Sequence, residues 1–314
     1  MPIDPSAAAV IEVLEQHFPR VERTRSAAEA RELAKQLPRP ADVEPIAAVE
    51  DRRLPGPDGD IAVRVYRPAA DGGPRPGVVY FHGGGFVICD LDSHDGACRR
   101  LANAIGAVVV SVDYRLAPEH RWPAAPEDAY AATRWVADHA AELGIDDARL
   151  ALAGDSAGGN LTAVVALMAR DRGGPPVAFQ LLVYPVIDLG ATRAQYPSQR
   201  ENAEGYFLTV PQMEWFREQY LADDADGEQP YASPIKATSL AGLPPACIVT
   251  AEMDPLRDEG EAYGRALHAA GVPVTIHRAP GMFHGFFNMD AVLDGSKDAQ
   301  RVAFEATHAV LHRA

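Results

Sequence analysis

The chain has 314 residues, of which 47% are hydrophobic and 23% charged, with a formal net charge of −15 at pH 7. That length can bury one large α/β core with a small accessory layer, and the acidic balance argues against nucleic acid and anionic membrane surfaces as partners. Cys89, Cys98 and Cys247 are too few and too scattered for a disulfide framework or a Cys-x-x-Cys zinc site, which fits a reducing, cytoplasmic setting.

The first residues carry Asp4 and no basic segment, so they do not read as a secretory signal. Residues 7–18 and 26–37 read instead as two amphipathic helices ahead of any strand. The second has Ser26 as N-cap and Glu29 three residues on, and Pro38 and Pro40 stop it. From residue 46 the pattern changes. Segments 46–53 and 61–66 flank Pro55-Gly56-Pro57-Asp58-Gly59 as the arms of an antiparallel hairpin, and Ile61, Val63 and Val65 alternate with Ala62, Arg64 and Tyr66 as in a half-buried strand.

Short apolar runs follow at 77–81, 108–112, 150–153, 179–184, 246–251 and 274–278. Helical patterns at 95–105, 126–143, 161–169, 258–270 and 298–312 fall between and after them. Solid apolar strands separated by helices predict a mostly parallel sheet covered on both faces. The longest apolar runs, 107–112 and 181–187, are far too short to span a bilayer. The polar segment 191–232, with one helix at 210–220, breaks the alternation. It enters at the carboxyl end of a strand, where an insertion of this length is expected to cover a site. The expected organisation is an α/β core at 46–190 and 233–314, with a cap built from 1–45 and 191–232.

The sharpest motif is Gly154-Asp155-Ser156-Ala157-Gly158, set between a strand and a helix. Two glycines allow strand and helix to pack closely, and the turn between them presents the Ser156 hydroxyl at a helix N-terminus. A serine nucleophile needs a base, an acid to orient that base and donors for an oxyanion. His82-Gly83-Gly84-Gly85-Phe86 follows a strand directly. Its Gly83 and Gly84 N–H groups, with that of Ala157, are the expected oxyanion donors. His284, in a Gly- and Phe-rich loop past the last strand, is the expected base. The other nine histidines fall within predicted elements, in the glycine loop or upstream of the nucleophile. Asp254, just past the strand at 246–251, is the expected acid, with Asp258 as its main rival. The order Ser156, Asp254, His284 is the one expected of an α/β-hydrolase. No His-Glu-x-x-His or dinucleotide fingerprint occurs, and neither a metal nor a cofactor is expected.

These motifs, together with Asp113-Tyr114-Arg115-Leu116-Ala117-Pro118-Glu119 and Leu243-Pro244-Pro245-Ala246, resemble the hormone-sensitive-lipase family of α/β-hydrolases in its bacterial esterase branch. The resemblance runs from about residue 45 to the end. It implies an eight-stranded, mostly parallel core with a helical cap, and hydrolysis of short- to medium-chain carboxylic esters. It implies Ser156, Asp254 and His284 as nucleophile, acid and base, and Gly83, Gly84 and Ala157 as oxyanion donors. It also implies a homodimer through the last strand and neighbouring helices, a pairing that members of the family often form. Two other readings share the scaffold: hydrolysis of amides such as arylformamides, and non-catalytic binding of a small molecule. Tyr206, Phe207, Met213 and Trp215 are the candidates for lining the substrate pocket, with packing inside the cap as their competing role.

Overall fold

In the computed structural model, residues 2–17, 20–24, 26–36, 43–69, 72–190 and 195–313 are described. The chain starts with α1 (Pro5–His17) and α2 (Ala27–Lys35). Ser26 caps α2, its hydroxyl accepting the Glu29 N–H at 3.2 Å. The helix ends expected at Phe18 and Leu37, the prolines at 38 and 40, and the start of the insertion at 191–194 lie outside the described residues.

The two arms close into a hairpin of β1 (Ala48–Gly56) and β2 (Gly59–Arg67), in register from Ala48↔Arg67 to Gly56↔Gly59. Then come β3 (Arg75–Phe81), α3 (Asp95–Ile105), β4 (Val108–Asp113), α4 (Ala124–Asp138), α5 (Ala140–Leu143), β5 (Ile145–Asp155) and α6 (Ala157–Asp171). The chain continues through β6 (Phe179–Val183), α7 (Pro197–Glu201), α8 (Val210–Tyr220), β7 (Ala246–Met253), α9 (Arg257–Ala269), β8 (Val274–Phe283) and α10 (Asp294–Leu311).

The strands form one sheet of order β1-β2-β4-β3-β5-β6-β7-β8. β2 runs antiparallel to both neighbours, and every pairing from β4 to β8 is parallel. Strand periodicity divides the core in two. Val79, Phe81, Val110, Val112 and Leu152 face one side, packed with α4, α6 and α9. Val78, Tyr80, Val109, Ala151 and Ala153 face the other, packed with α3 and α10.

Three elements differ from the sequence expectation. The helix at 126–143 is broken at His139, whose ring stacks on Trp135 at 4.2 Å. The insertion holds a second helix, α7, which is only five residues long and too short to show a period. β8 runs on to Phe283, past Pro280-Gly281. β8 is the outermost strand, so a proline lacking an N–H can point that side of its backbone away from the ladder. Its last pair, Met253↔Phe283, brings the ends of β7 and β8 together.

Candidate active site

The turn at Ser156 is held by close backbone packing. A Cβ at Gly158 would overlap the Phe81 carbonyl, and one at Gly154 would overlap the Gly158 carbonyl. Any other residue would push β3, β5 and α6 apart. Ser156 sits between β5 and α6 with φ 56° and ψ −117°. Its N–H donates to the Val183 carbonyl at 2.8 Å, which holds that strained conformation in place. The hydroxyl is thereby fixed at the carboxyl end of the central strands, where a parallel sheet gathers its site.

Two neighbouring strand ends supply its partners. His284 follows β8, with Gly285 at φ 90° turning the chain back beneath it. Asp254 follows β7 and is fully buried. His284 Nε2 lies 3.0 Å from Ser156 Oγ, and Nδ1 lies 2.8 Å from Asp254 Oδ2. A carboxylate only accepts hydrogen bonds, so Nδ1 carries the hydrogen and Nε2 keeps its lone pair for the serine proton. The Leu256 N–H donates to Asp254 Oδ1 at 2.8 Å and fixes the other carboxylate oxygen. The other carboxylates beside Asp254, including its rival Asp258, are engaged elsewhere. Asp258 accepts from the Ser198 N–H and from Arg257, and Glu252 accepts from the Gly281 N–H.

The glycine loop departs from the sequence expectation at one residue. The Gly83 N–H, one of the expected oxyanion donors, is taken up by Asp155 Oδ1 at 3.1 Å. A Cβ at Gly83 would lie 2.5 Å from Asp155 Oδ2. Gly84 and Gly85 are the glycines on the cavity wall, both with positive φ, at 104° and 60°. The Gly84 carbonyl accepts from Val87 and Ile88 at 3.0 and 2.9 Å, which turns its peptide unit into a tight bend. Ala157 opens α6, so its N–H is one of the helix's unpaired donors. The repeated glycines alone could not show which pair would face the serine.

Asp155 is buried, and burial by itself would push its carboxyl up. The His94 charge and hydrogen bonds from His94 and Tyr80 outweigh that and hold it below the usual range. Tyr80 Oη donates to Asp155 Oδ1 at 2.7 Å.

Over the serine lies a cavity of about 600 Å³. Of the four expected pocket residues, Phe207 and Met213 line it. Tyr206 and Trp215 do not: each is half-buried against a hydrophobic cluster. Val210, Gln212, Met213, Glu214, Phe216 and Arg217 of α8 all line the cavity, whereas Trp215 packs against the hydrophobic core. These positions follow no single helical spacing, so the sequence carries no signal that separates them from Trp215. Val13 and Leu14 of α1 complete the wall from the far end of the chain. No group of three or more His, Cys, Asp or Glu side chains among the described residues is arranged to hold a metal ion. No described helix is long and apolar enough to cross a membrane.

A family model described as the alpha/beta hydrolase fold matches residues 78–288. The chain is 48% identical over 286 residues to an esterase, LipI, of Mycobacterium tuberculosis, a match covering 90% of this chain and 88% of that one. It is 43% identical to a carboxylesterase, NlhH, of the same organism, over 98% of this chain and 97% of that one. Among solved structures, a hyperthermophilic esterase from the archaeon Pyrobaculum calidifontis superposes with a TM-score of 0.90 at 45% identity, covering 98% and 99% of the two chains. The chain belongs to the α/β-hydrolase fold family, in its hormone-sensitive-lipase branch.

Proposed function

We propose that the protein is a serine carboxylesterase that hydrolyses short- to medium-chain acyl esters through an acyl-enzyme on Ser156. The enzyme class follows from relatives named as esterases and carboxylic ester hydrolases over nearly the whole chain. The observation that carries the mechanism is the unbroken chain from Ser156 Oγ through His284 to Asp254. His284 Nε2 takes the hydroxyl proton as Oγ attacks the ester carbonyl carbon. The carbonyl oxygen becomes an oxyanion facing the N–H groups of Gly84, Gly85 and Ala157, each worth about 3 kcal/mol at the transition state. The C–O bond to the alcohol breaks, and the alcohol leaves with the proton from Nε2. Water then repeats the sequence on the acyl-enzyme and frees the acid. Asp254 holds the imidazole in the required tautomer and stabilises its cation.

The cavity suits a compact ester, since pockets of about 300–1,000 Å³ enclose small ligands. Residues 1–45 and 191–232 act as its cap, supported by the cavity-facing residues of α1 and α8. Three unpaired cysteines support a cytoplasmic setting. A homodimer through the last strand, which lies at the sheet edge, is the pairing that the family resemblance implies, and sedimentation at micromolar concentration would test for it.

The reading is tested with a nitrophenyl butyrate assay. Ser156→Ala should lower kcat by at least about 10⁴-fold with the fold intact, as removal of a catalytic nucleophile does. Turnover at the wild-type rate in that variant would refute it.

A further inference from the structure

A second histidine–carboxylate pair lies beside the nucleophile, and the hydrolytic cycle above does not use it. His94 Nε2 lies 3.2 Å from Asp155 Oδ1 and 3.4 Å from Oδ2. Both residues are buried, and both lie on the floor of the catalytic cavity. The Gly83 N–H is 3.4 Å from His94 Nε2 but 3.1 Å from Asp155 Oδ1, so the carboxylate is its acceptor. On the other side of the ring, His94 Nδ1 lies 2.9 Å from Ser93 Oγ. That hydroxyl also accepts the Asp90 N–H at 2.9 Å and lies 2.7 Å from the Asp90 carbonyl. The ring is thus held on both sides, by the Asp155 carboxylate at Nε2 and by the Ser93 hydroxyl at Nδ1.

The placement poses an electrostatic problem. Asp155 holds Gly83, and the next two peptide N–H groups are those that would receive the oxyanion. A bare carboxylate so close would oppose negative charge developing there, in an interior that screens charge poorly. We propose that His94 and Asp155 are positioning residues for the oxyanion loop. The carboxylate fixes Gly83 so that Gly84 and Gly85 turn toward the reacting carbonyl, and the hydrogen bond from His94 holds the carboxylate and draws its charge away from the transition state. Neither residue touches the reacting atoms. Tyr80 Oη is the third anchor of the carboxylate.

This inference rests on the esterase reading and predicts more than a structural role would. His94→Gln replaces the imidazole that bridges Asp155 and Ser93 with a shorter, flexible amide, so the carboxylate is held less firmly. It should lower kcat about 10- to 100-fold, a loss on the scale of one oxyanion donor, with KM changed by less than about threefold. Affinity for a trifluoromethyl ketone, which forms an oxyanion on the enzyme, should fall in parallel with kcat/KM. Adding Asp155→Asn removes the negative charge and still leaves an oxygen for the Gly83 N–H. The double variant should therefore be several-fold faster than His94→Gln alone, whereas a merely structural pair would lose further activity. If His94→Gln folds poorly, Tyr80→Phe keeps His94 and loosens the carboxylate, and a kcat loss of about threefold or more at unchanged KM is expected. Wild-type kcat in whichever of these two single variants folds would overturn the proposal, as would a double variant no faster than His94→Gln. Failure of the esterase reading is distinct, because wild-type protein itself would then not turn over the ester.

Discussion

Each side chain at the centre of the site is placed by backbone it does not itself control. Ser156 is held by the Val183 carbonyl and by two glycines with no room for a Cβ. This is why the three side chains that meet there, Ser156, Asp254 and His284, could be picked out in the sequence: each needs a short local pattern after a strand, and each has one. Gly83 shows the limit. Its role depends on an N–H direction set by Asp155, a residue 72 positions away, and nothing in the glycine run records it. Glu259 is a buried carboxylate that the sequence left as an ordinary helix residue. Burial, only partly offset by the N–H groups of Ile187 and Asp188, pushes it up from 4.5 to about 8. A carboxyl raised on folding binds more protons in the native state than in the unfolded chain, so stability falls as pH rises from about 4.5 to about 8. Glu259→Gln should remove that slope. Its melting temperature should be flatter than wild type across this window and higher at pH 8.5, by differential scanning fluorimetry. An unchanged slope in the variant would contradict this.

At the scale of elements, α7 does what its length does not suggest. Asn202, just past its end, is buried and donates through Nδ2 to the carbonyls of Glu252 and Asp254 at 3.3 and 3.2 Å. Ser198 Oγ donates to the Pro255 carbonyl at 2.8 Å and accepts the Asp258 N–H at 3.2 Å. The insertion therefore clamps the loop that carries the acid. Asn202→Ala removes a donor from two carbonyls that Arg257 also serves, a cost of about 1 kcal/mol, and frees Asp254 to shift. We expect kcat to fall about tenfold with KM nearly unchanged, since a misplaced acid weakens the transition state more than binding. A kcat equal to wild type would show that the clamp does not reach the acid. The same scale explains what was legible. Strands and long helices announce themselves by period, so β1 to β8 were all anticipated in number and order. Extensions such as β8 past Pro280, and helices of one turn such as α7, depend on neighbours rather than on period.

For the whole molecule, the cavity is where distant segments meet. Val13 and Leu14 from one end of the chain, Gly84 and Gly85 from the third strand's exit, Met213 from the insertion and Met289 near the other end share its wall. Arg31 of α2 ties the N-terminal layer down, donating to the Val87 and Ala117 carbonyls at 2.7 and 2.6 Å and pairing with Glu119. Acyl-chain preference is therefore a property of the assembled wall, and no single motif states it. Leu14→Trp adds bulk from α1 and should narrow the cavity. An acyl-chain series should show kcat/KM for octanoate falling about tenfold or more while acetate changes less than about threefold, the scale on which apolar pockets sort methylenes. A uniform loss across all chain lengths would mean that α1 does not bound the acyl site.

The account stands most directly on whether three side chains from separate strand ends act as one covalent device. Intact-protein mass spectrometry after rapid quench, with a slowly hydrolysed nitrophenyl ester in excess, reads this out. We predict a single added acyl group, mapped by peptide digestion to Ser156, absent in Ser156→Ala and strongly diminished in His284→Gln. Steady hydrolysis with no adduct on Ser156, or an adduct that maps to another residue and persists in Ser156→Ala, would contradict it.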